Sequence, residues 1–250
     1  MAAVETKRAS FRLPKPETGW ALFLDVDGTL IDLAATPDTV TVPPSLVPIL
    51  AAAQKRLDGA LAIVSGRTIA AVDCIVAPLV LPCAGEHGAA LRLPNGSFEA
   101  APAAYAMPSE WRNRAEKTVA AWPGVWVENK SCGLALHYRQ APERKDAVLA
   151  LAHNLVGDGR SGFEVLPAHM VLEIRHRDLN KGVAVHRFMT FPPFRGRRPV
   201  FVGDDVTDED GFAAARAMDG LGLHVANDFG GSTKNVRRWL MLFDSLATEH

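Results

Sequence analysis

The stretch ALFLDVDGTLID, residues 21–32, places Asp25 and Asp27 directly after four apolar residues. Residues two apart on an extended chain share a face, so the two carboxylates stand side by side. Such a pair repels unless a cation or a proton lies between them. Three roles stay open on these residues alone: a metal site, a nucleophile with its acid, or a strand-ending turn. Asp and Gly are common in turns, and Gly28 allows a sharp one. The apolar run that aims the pair weights the reading toward chemistry.

A second stretch, VFVGDDVTDED, repeats the arrangement, with an apolar run ending in Gly203 before Asp204, Asp205 and Asp208. Acidic residues suit a helix start, where the helix dipole favours negative charge. This many carboxylates exceed that need. If both strand ends meet in one crevice the charge calls for a cation, and an all-oxygen set suits Mg²⁺.

In AIVSGR, the Ser65 hydroxyl and nearby backbone N–H groups are suited to phosphate oxygens, and Gly66 keeps the approach open. Ser65 is an equally good N-cap for the helix that follows, and the two roles are compatible. In LNKGVAV, Lys181 opens a helix against the dipole, which points to a use other than helix stability. Across a crevice it would neutralise a phosphate or a nucleophile; alone it would be a surface lysine.

These groups need elements to position them. WALFL, ALAIV and LVLPCAG read as strands that alternate with helices SLVPILAAAQKR and TIAAVDCIV, the rhythm of a parallel sheet with crossovers. Chemistry in such sheets gathers at the carboxyl ends of the strands. ALRLPNGSFEA carries the hairpin signal Asn95-Gly96. The α/β rhythm resumes after RDLNKG with helix VAVHRFM, strand PVFVGDD, helix DEDGFAAARAM and strand LGLHVA.

Between these halves the pattern changes. A helix-strand-strand unit occurs twice, in PSEWRNRAEKTVAAW, VWVENK and LALHYR, then APERKDAVLALAHNLV, GFEVLP and MVLEIR. Two such units make one antiparallel sheet with both helices on one face. The expected fold is α/β: a core at 1–104 and 178–250, with an α+β domain inserted at 105–177. Residues 1–18 are expected to form a loose arm. Along the inserted strands Glu128 and Lys130 share a side, as do His137 and Arg139, and Glu173 and Arg175. Val127, Leu136, Tyr138 and Ile174 turn to the helices. On pattern alone, that charged side is an ordinary wet face.

Composition narrows the classes. Hydrophobic residues make up 48% and charged ones 22%, enough apolar material for a sizeable core. Lys plus Arg number 27 against 28 Asp plus Glu, so the chain lacks the basic surface of a general nucleic-acid binder. Cys74, Cys83 and Cys132 form no CxxC pair and read as reduced thiols of a cytoplasmic protein. MAAVETKRAS lacks the apolar run of a signal peptide, and no apolar stretch reaches membrane-spanning length.

Taken in order, DxDGT, a strand with Ser65, Lys181 at a helix start and GDDxxxD resemble the haloacid-dehalogenase-like (HAD) phosphotransferase superfamily. That resemblance implies a Rossmann-like parallel-sheet core. SGR, GEHGA, ENK, LALHYRQAP, EIR, NKG and GDDVTDED further resemble the trehalose-6-phosphate phosphatase family, whose inserted cap runs αββαββ. The resemblance implies a Mg²⁺-dependent phosphatase acting on trehalose 6-phosphate, with a trehalose-6-phosphate synthase as functional partner and no nucleic-acid or membrane partner. It implies that Asp25 is the nucleophile that becomes an aspartyl phosphate. Asp27 is then the general acid and base and lends its backbone carbonyl to Mg²⁺. Ser65 and Lys181 would hold the phosphoryl group, and Asp204 and Asp208 the metal, with Asp205 close by. Glu128, Lys130, Arg139 and Glu173 match cap positions that recognise the substrate, and Gly66, Arg67 and His87 would line the site. This raises the charged cap face above a merely wet one. The nearest rivals are a capped phosphatase for sucrose or glucosylglycerol phosphate and, further off, a non-catalytic sugar-phosphate sensor. Two departures from the family pattern are His176, where a proline is common, and a short segment FGGSTKNVRRWLMLF that is expected to lack part of the usual tail.

Overall fold

The computed structural model describes residues 13–34, 39–158, 160–168 and 170–245. Its first strand, β1 (Trp20–Leu24), is buried at all five positions. Apolar side chains on both faces of a strand need cover on both sides, which places it inside a sheet flanked by helices. α1 (Leu46–Arg56) leads to β2 (Leu61–Val64), and α2 (Ile69–Val76) leads to β3 (Cys83–Gly85). The strand expected over LVLPCAG is only its last three residues. Pro82 has no N–H for the ladder, although its carbonyl still accepts from Ile63 N at 2.9 Å. A hairpin of β4 (Ala90–Arg92) and β5 (Phe98–Ala100) follows, turned where Gly96 takes a φ of +81°.

The intervening segment builds a second sheet. α3 (Ser109–Val119), β6 (Trp126–Asn129), β7 (Gly133–His137), α4 (Lys145–Val156), β8 (Phe163–Ala168) and β9 (Val171–His176) follow in order. The four strands pair antiparallel as β6-β7-β9-β8. Leu134, Leu136, Tyr138, Leu172 and Ile174 pack with Val148, Leu151 and Leu155 of α4 in a core of their own. Arg139 and the other charged side chains expected on the opposite face are described with the site below.

The chain then returns through α5 (Lys181–Met189), β10 (Arg198–Gly203), α6 (Glu209–Ala217) and β11 (Leu221–His224). The large sheet has the order β11-β10-β1-β2-β3-β4-β5, parallel from β11 to β3 and antiparallel at the hairpin. β1 lies between β10 and β2, so connections leave it in both directions. The crevice outside the carboxyl ends opens at that switch point. No helix among the described residues is long and apolar enough to cross a membrane.

The C-terminal segment packs on the main core. It forms α7 (Val225–Asp228) and α8 (Thr233–Leu240), and Val236, Trp239, Leu240 and Phe243 are buried in the main core. α8 packs beside α1. Trp239 stacks on Trp20 at 6.1 Å and meets Phe229 and Phe243 edge-on. Its indole N–H donates to the Pro14 carbonyl at 2.8 Å. Residues 13–18 are therefore fastened to the core rather than loose, whereas 1–12 lie outside the described residues. His176, at the end of the second sheet, stacks on Tyr105 of the 3₁₀ turn that precedes α3, with ring centroids 4.1 Å apart.

Replacing Trp239 by Ala removes the centre of this aromatic cluster and the tie to Pro14 together. The expected loss is about 3–5 kcal/mol in denaturant-induced unfolding.

Candidate active site

β1 ends at Leu24, which sets Asp25 at the mouth of the crevice, and β10 ends at Gly203, which sets Asp204 beside it. Gly28 lets the chain turn back after β1 with a φ of +73°. A Cβ at this position would lie 2.0 Å from Asp204 Oδ2, so the close approach of the two strand ends requires glycine. Thr29, fully buried, donates its hydroxyl to Asp204 Oδ1 at 3.4 Å.

At the centre is a buried cation. Lys181 Nζ donates to Asp25 Oδ1 at 2.7 Å and to Asp208 Oδ1 at 2.6 Å. Lys181 is 2% exposed, Asp25 4% and Asp208 0%. The other Asp208 oxygen accepts from the backbone N–H groups of Asp204 and Asp205 at 3.0 and 3.1 Å. Asn180 caps α5 by accepting from Val183 N, which fixes the turn that carries the lysine. Burial opposes the charged lysine, but Asp208 and Asp25 outweigh it and hold its pKa above the usual range. Burial, then the charge of Asp208, pushes the Asp25 carboxyl well above its ordinary value. Burial and the charges of Asp208 and Asp205 raise Asp204 to about 7.

Carboxylate oxygens of Asp25, Asp204 and Asp208 lie within 4.8 Å of one another. Three carboxylates face a single ammonium. An all-oxygen set of this kind can hold a hard divalent cation. Asp27 and Asp205 stand outside the triad. The Asp27 carboxylate is gripped at both oxygens by Arg67, through Nε at 2.6 Å and Nη2 at 2.7 Å. The Asp205 side chain accepts from Val206 N at 2.7 Å and caps the 3₁₀ turn Val206–Asp208.

Ser65 follows β2 and is buried, with its Oγ accepting from Arg67 N at 3.2 Å. It is not the N-cap of α2; Thr68 takes that place, accepting from Ala71 N. Gly66 packs against the His87 ring, where a Cβ would come within 2.6 Å of Nε2. Glu86 and His87 both adopt left-handed backbone, which the sequence pattern did not reveal.

Above the crevice, the second sheet supplies a charged roof. Lys130 Nζ donates to Glu173 Oε1 at 2.7 Å, and His87 Nε2 from the core lies 2.7 Å from Glu173 Oε2. Burial works against the Glu173 carboxylate, yet Lys130 and His87 hold its pKa well below the ordinary value. For His87, burial dominates and lowers the pKa despite Glu173. Glu128 lies 2.8 Å from His137 Nε2, and Arg139 Nη1 donates to the Ala34 carbonyl at 2.6 Å. Arg175 departs from the expected roof: it pairs with Glu164 and reaches down to Asp210 of α6 at 2.8 Å. Glu86 accepts from Ser131 N at 2.9 Å, another tie between the two sheets.

Floor and roof enclose one cavity of about 460 Å³. Asp25, Asp27, Ser65, Gly66, Arg67, His87, Lys181, Asp204 and Asp205 line it from below, and Glu128, Lys130, Arg139 and Glu173 from above. Trp126 and Leu33 line it as well. Sequence reasoning missed both, although alternation already puts Trp126 on the same side of its strand as Glu128. Carboxylates, an ammonium and a buried hydroxyl converging on one space suit transfer of an anionic phosphoryl group.

Comparison with known proteins agrees with this chemistry. A family profile described as trehalose-phosphatase matches residues 23–239. A probable trehalose-phosphate phosphatase of Sinorhizobium fredii is 42% identical over 209 residues, covering 82% of this chain and 77% of that protein. The trehalose-6-phosphate phosphatase of Escherichia coli is 36% identical over 212 residues, covering 85% and 79%. The C-terminal domain of the C. albicans trehalose-6-phosphate phosphatase shares the fold, with a TM-score of 0.75 and 20% identity over 91% of this chain and 92% of that one.

The raised Asp204 gives a pH dependence with a definite sign. Between about pH 4 and pH 7 the folded chain keeps a proton that the unfolded chain has released, so stability falls as pH rises through that window. A divalent cation held by these carboxylates would compete with that proton. Mg²⁺ is expected to raise the melting temperature of EDTA-treated protein more at about pH 8 than at about pH 5, and Asp204→Asn to remove most of that difference. Thermal unfolding of both proteins at the two pH values checks it.

Proposed function

The chain belongs to the trehalose-phosphatase family, and from that premise we propose that it hydrolyses trehalose 6-phosphate to trehalose and inorganic phosphate. Its fold is that of the capped phosphatases of the HAD superfamily. The observation that carries the reading is the buried Asp25–Lys181–Asp208 cluster, facing a roof of Glu128, Lys130 and Glu173 across one cavity.

In this reading Asp25 attacks phosphorus in line while the bond to the sugar oxygen breaks, giving an aspartyl phosphate. Asp27 gives a proton to the departing sugar oxygen, then takes one from the water that attacks the phosphoaspartate and releases phosphate. Arg67 orients Asp27 by its two contacts. Ser65 and Lys181 hold the phosphoryl oxygens. A Mg²⁺ ion held by Asp25, Asp204 and Asp208 would offset negative charge on the phosphoryl group and on the carboxylates themselves.

Residues 105–177 serve as the cap, closing the reaction off from water. Glu128, Lys130, Arg139 and Glu173 meet the sugar, whose many hydroxyl groups suit charged hydrogen-bonding partners. A sugar that left those groups unpaired would be rejected. Gly66 and His87 shape the space between phosphate and sugar. The substrate has to come from a reaction joining two glucose units as a phosphate ester, which makes a trehalose-6-phosphate synthase the functional partner. Three free cysteines support a reducing, cytoplasmic setting.

Phosphate release from trehalose 6-phosphate tests the reading directly: turnover is expected with Mg²⁺ and is lost with EDTA. Asp25→Asn is expected to lower kcat by about 10³-fold or more, and unchanged activity would remove Asp25 from its role. A panel with sucrose phosphate and glucosylglycerol phosphate fixes the sugar. Equal or better turnover of either would replace trehalose 6-phosphate as the substrate.

A further inference from the structure

Trp126 breaks the pattern of its own strand. Residues 126, 128 and 130 lie on the side of β6 that faces the core, and Glu128 and Lys130 are charged. Val125 and Val127 pack with the cap's hydrophobic cluster on the other side. An edge-strand position on the polar side nevertheless carries the largest apolar side chain available, 39% exposed.

The ring is held rather than loose. Trp126 is directly opposite His137 in register, and the two rings stack at 3.8 Å with planes 2° apart. His137 is fixed in turn by Glu128 at 2.8 Å. The imidazole covers one face of the indole, so its exposure lies on the opposite face and the rim. Leu33, 54% exposed, lines the same cavity from the core. The cavity thus presents apolar surface from both domains among its charged groups.

A pyranose ring has two kinds of surface: a rim of hydroxyl groups and faces of C–H bonds. The charged roof serves the rim. The C–H faces are complementary to the negative face of an aromatic ring. Because the phosphate must lie on the Asp25–Lys181 floor, the glucose unit that carries it lies nearest that floor. The second unit extends into the rest of the cavity. Resting on the function proposed above, we infer that Trp126 is a specificity-determining residue, the platform for the glucose unit that carries no phosphate.

Three measurements test this on the whole enzyme with Mg²⁺. Trp126→Ala is expected to raise KM for trehalose 6-phosphate about three- to tenfold with kcat little changed. Trp126→Phe, which keeps an aromatic face, is expected to fall between the two. Trehalose titrated into the wild-type enzyme perturbs tryptophan emission, and Trp126→Phe abolishes the change. Circular dichroism identifies any variant that has not folded, and the Phe variant then carries the test. An unchanged KM in folded Trp126→Ala, or an undiminished emission change in Trp126→Phe, overturns the inference. Failure of the underlying function is distinguishable, because the wild-type enzyme itself would then release no phosphate from trehalose 6-phosphate.

Discussion

One ammonium group shared by two aspartates organises this molecule. Burying Lys181, Asp25 or Asp208 alone would cost several kcal/mol, and only their mutual contacts make the burial tolerable. The three come from the start of α5, the end of β1 and the turn after β10. They meet because β10 pairs with β1 and because α5 packs against α6 beside them. The sheet order is therefore the means by which charges 156 and 27 residues apart come within hydrogen-bond distance. Even so, the cluster is left negative by the addition of Asp204, and that residual charge suits it to a cation and an anionic substrate together.

The roof is assembled differently, with its carboxylates already in contact with neighbouring side chains. Lys130 and His87 flank Glu173, and His137 meets Glu128. Side chains already held in this way lose less freedom on binding a sugar. The two sheets are joined by polar ties rather than by one continuous apolar core: Arg175 to Asp210, Ser131 to Glu86 and Arg139 to the Ala34 carbonyl. Polar ties at a domain boundary can be exchanged for water with little net change, whereas a shared core cannot.

The chain itself announced the strands that carry chemistry. β1, β2 and β10 are buried on both faces and so read as uninterrupted apolar runs, and the Asp and Ser residues stand out at their ends. The doubled helix-strand-strand unit was equally legible from the switch between periods of 2 and 3.6. Other features depend on partners that periodicity does not encode. Nothing local says that Arg67 will reach Asp27, or that Arg175 will leave the roof for Asp210. Pro82 shortens β3 by withholding an N–H, and Thr68 caps α2 in preference to Ser65 because the chain turns three residues later. Nothing within FGGSTKNVRRWLMLF says that Trp239 and Phe243 will pack on Trp20.

The crossing from cap to core has a mechanical meaning. β9 ends at His176 and α5 begins at Lys181, so residues 177–180 join the roof directly to the helix that carries the central ammonium. Asn180 grips both sides of that crossing: its amide donates to the Arg177 carbonyl at 3.0 Å, and its oxygen accepts from Val183 N at 2.9 Å. Tyr105 and His176 clasp the two ends of the inserted segment against each other. The joint is thereby held by a capped helix and an aromatic clasp. The lysine stands one residue past the joint, so its place at the site depends on that capped turn.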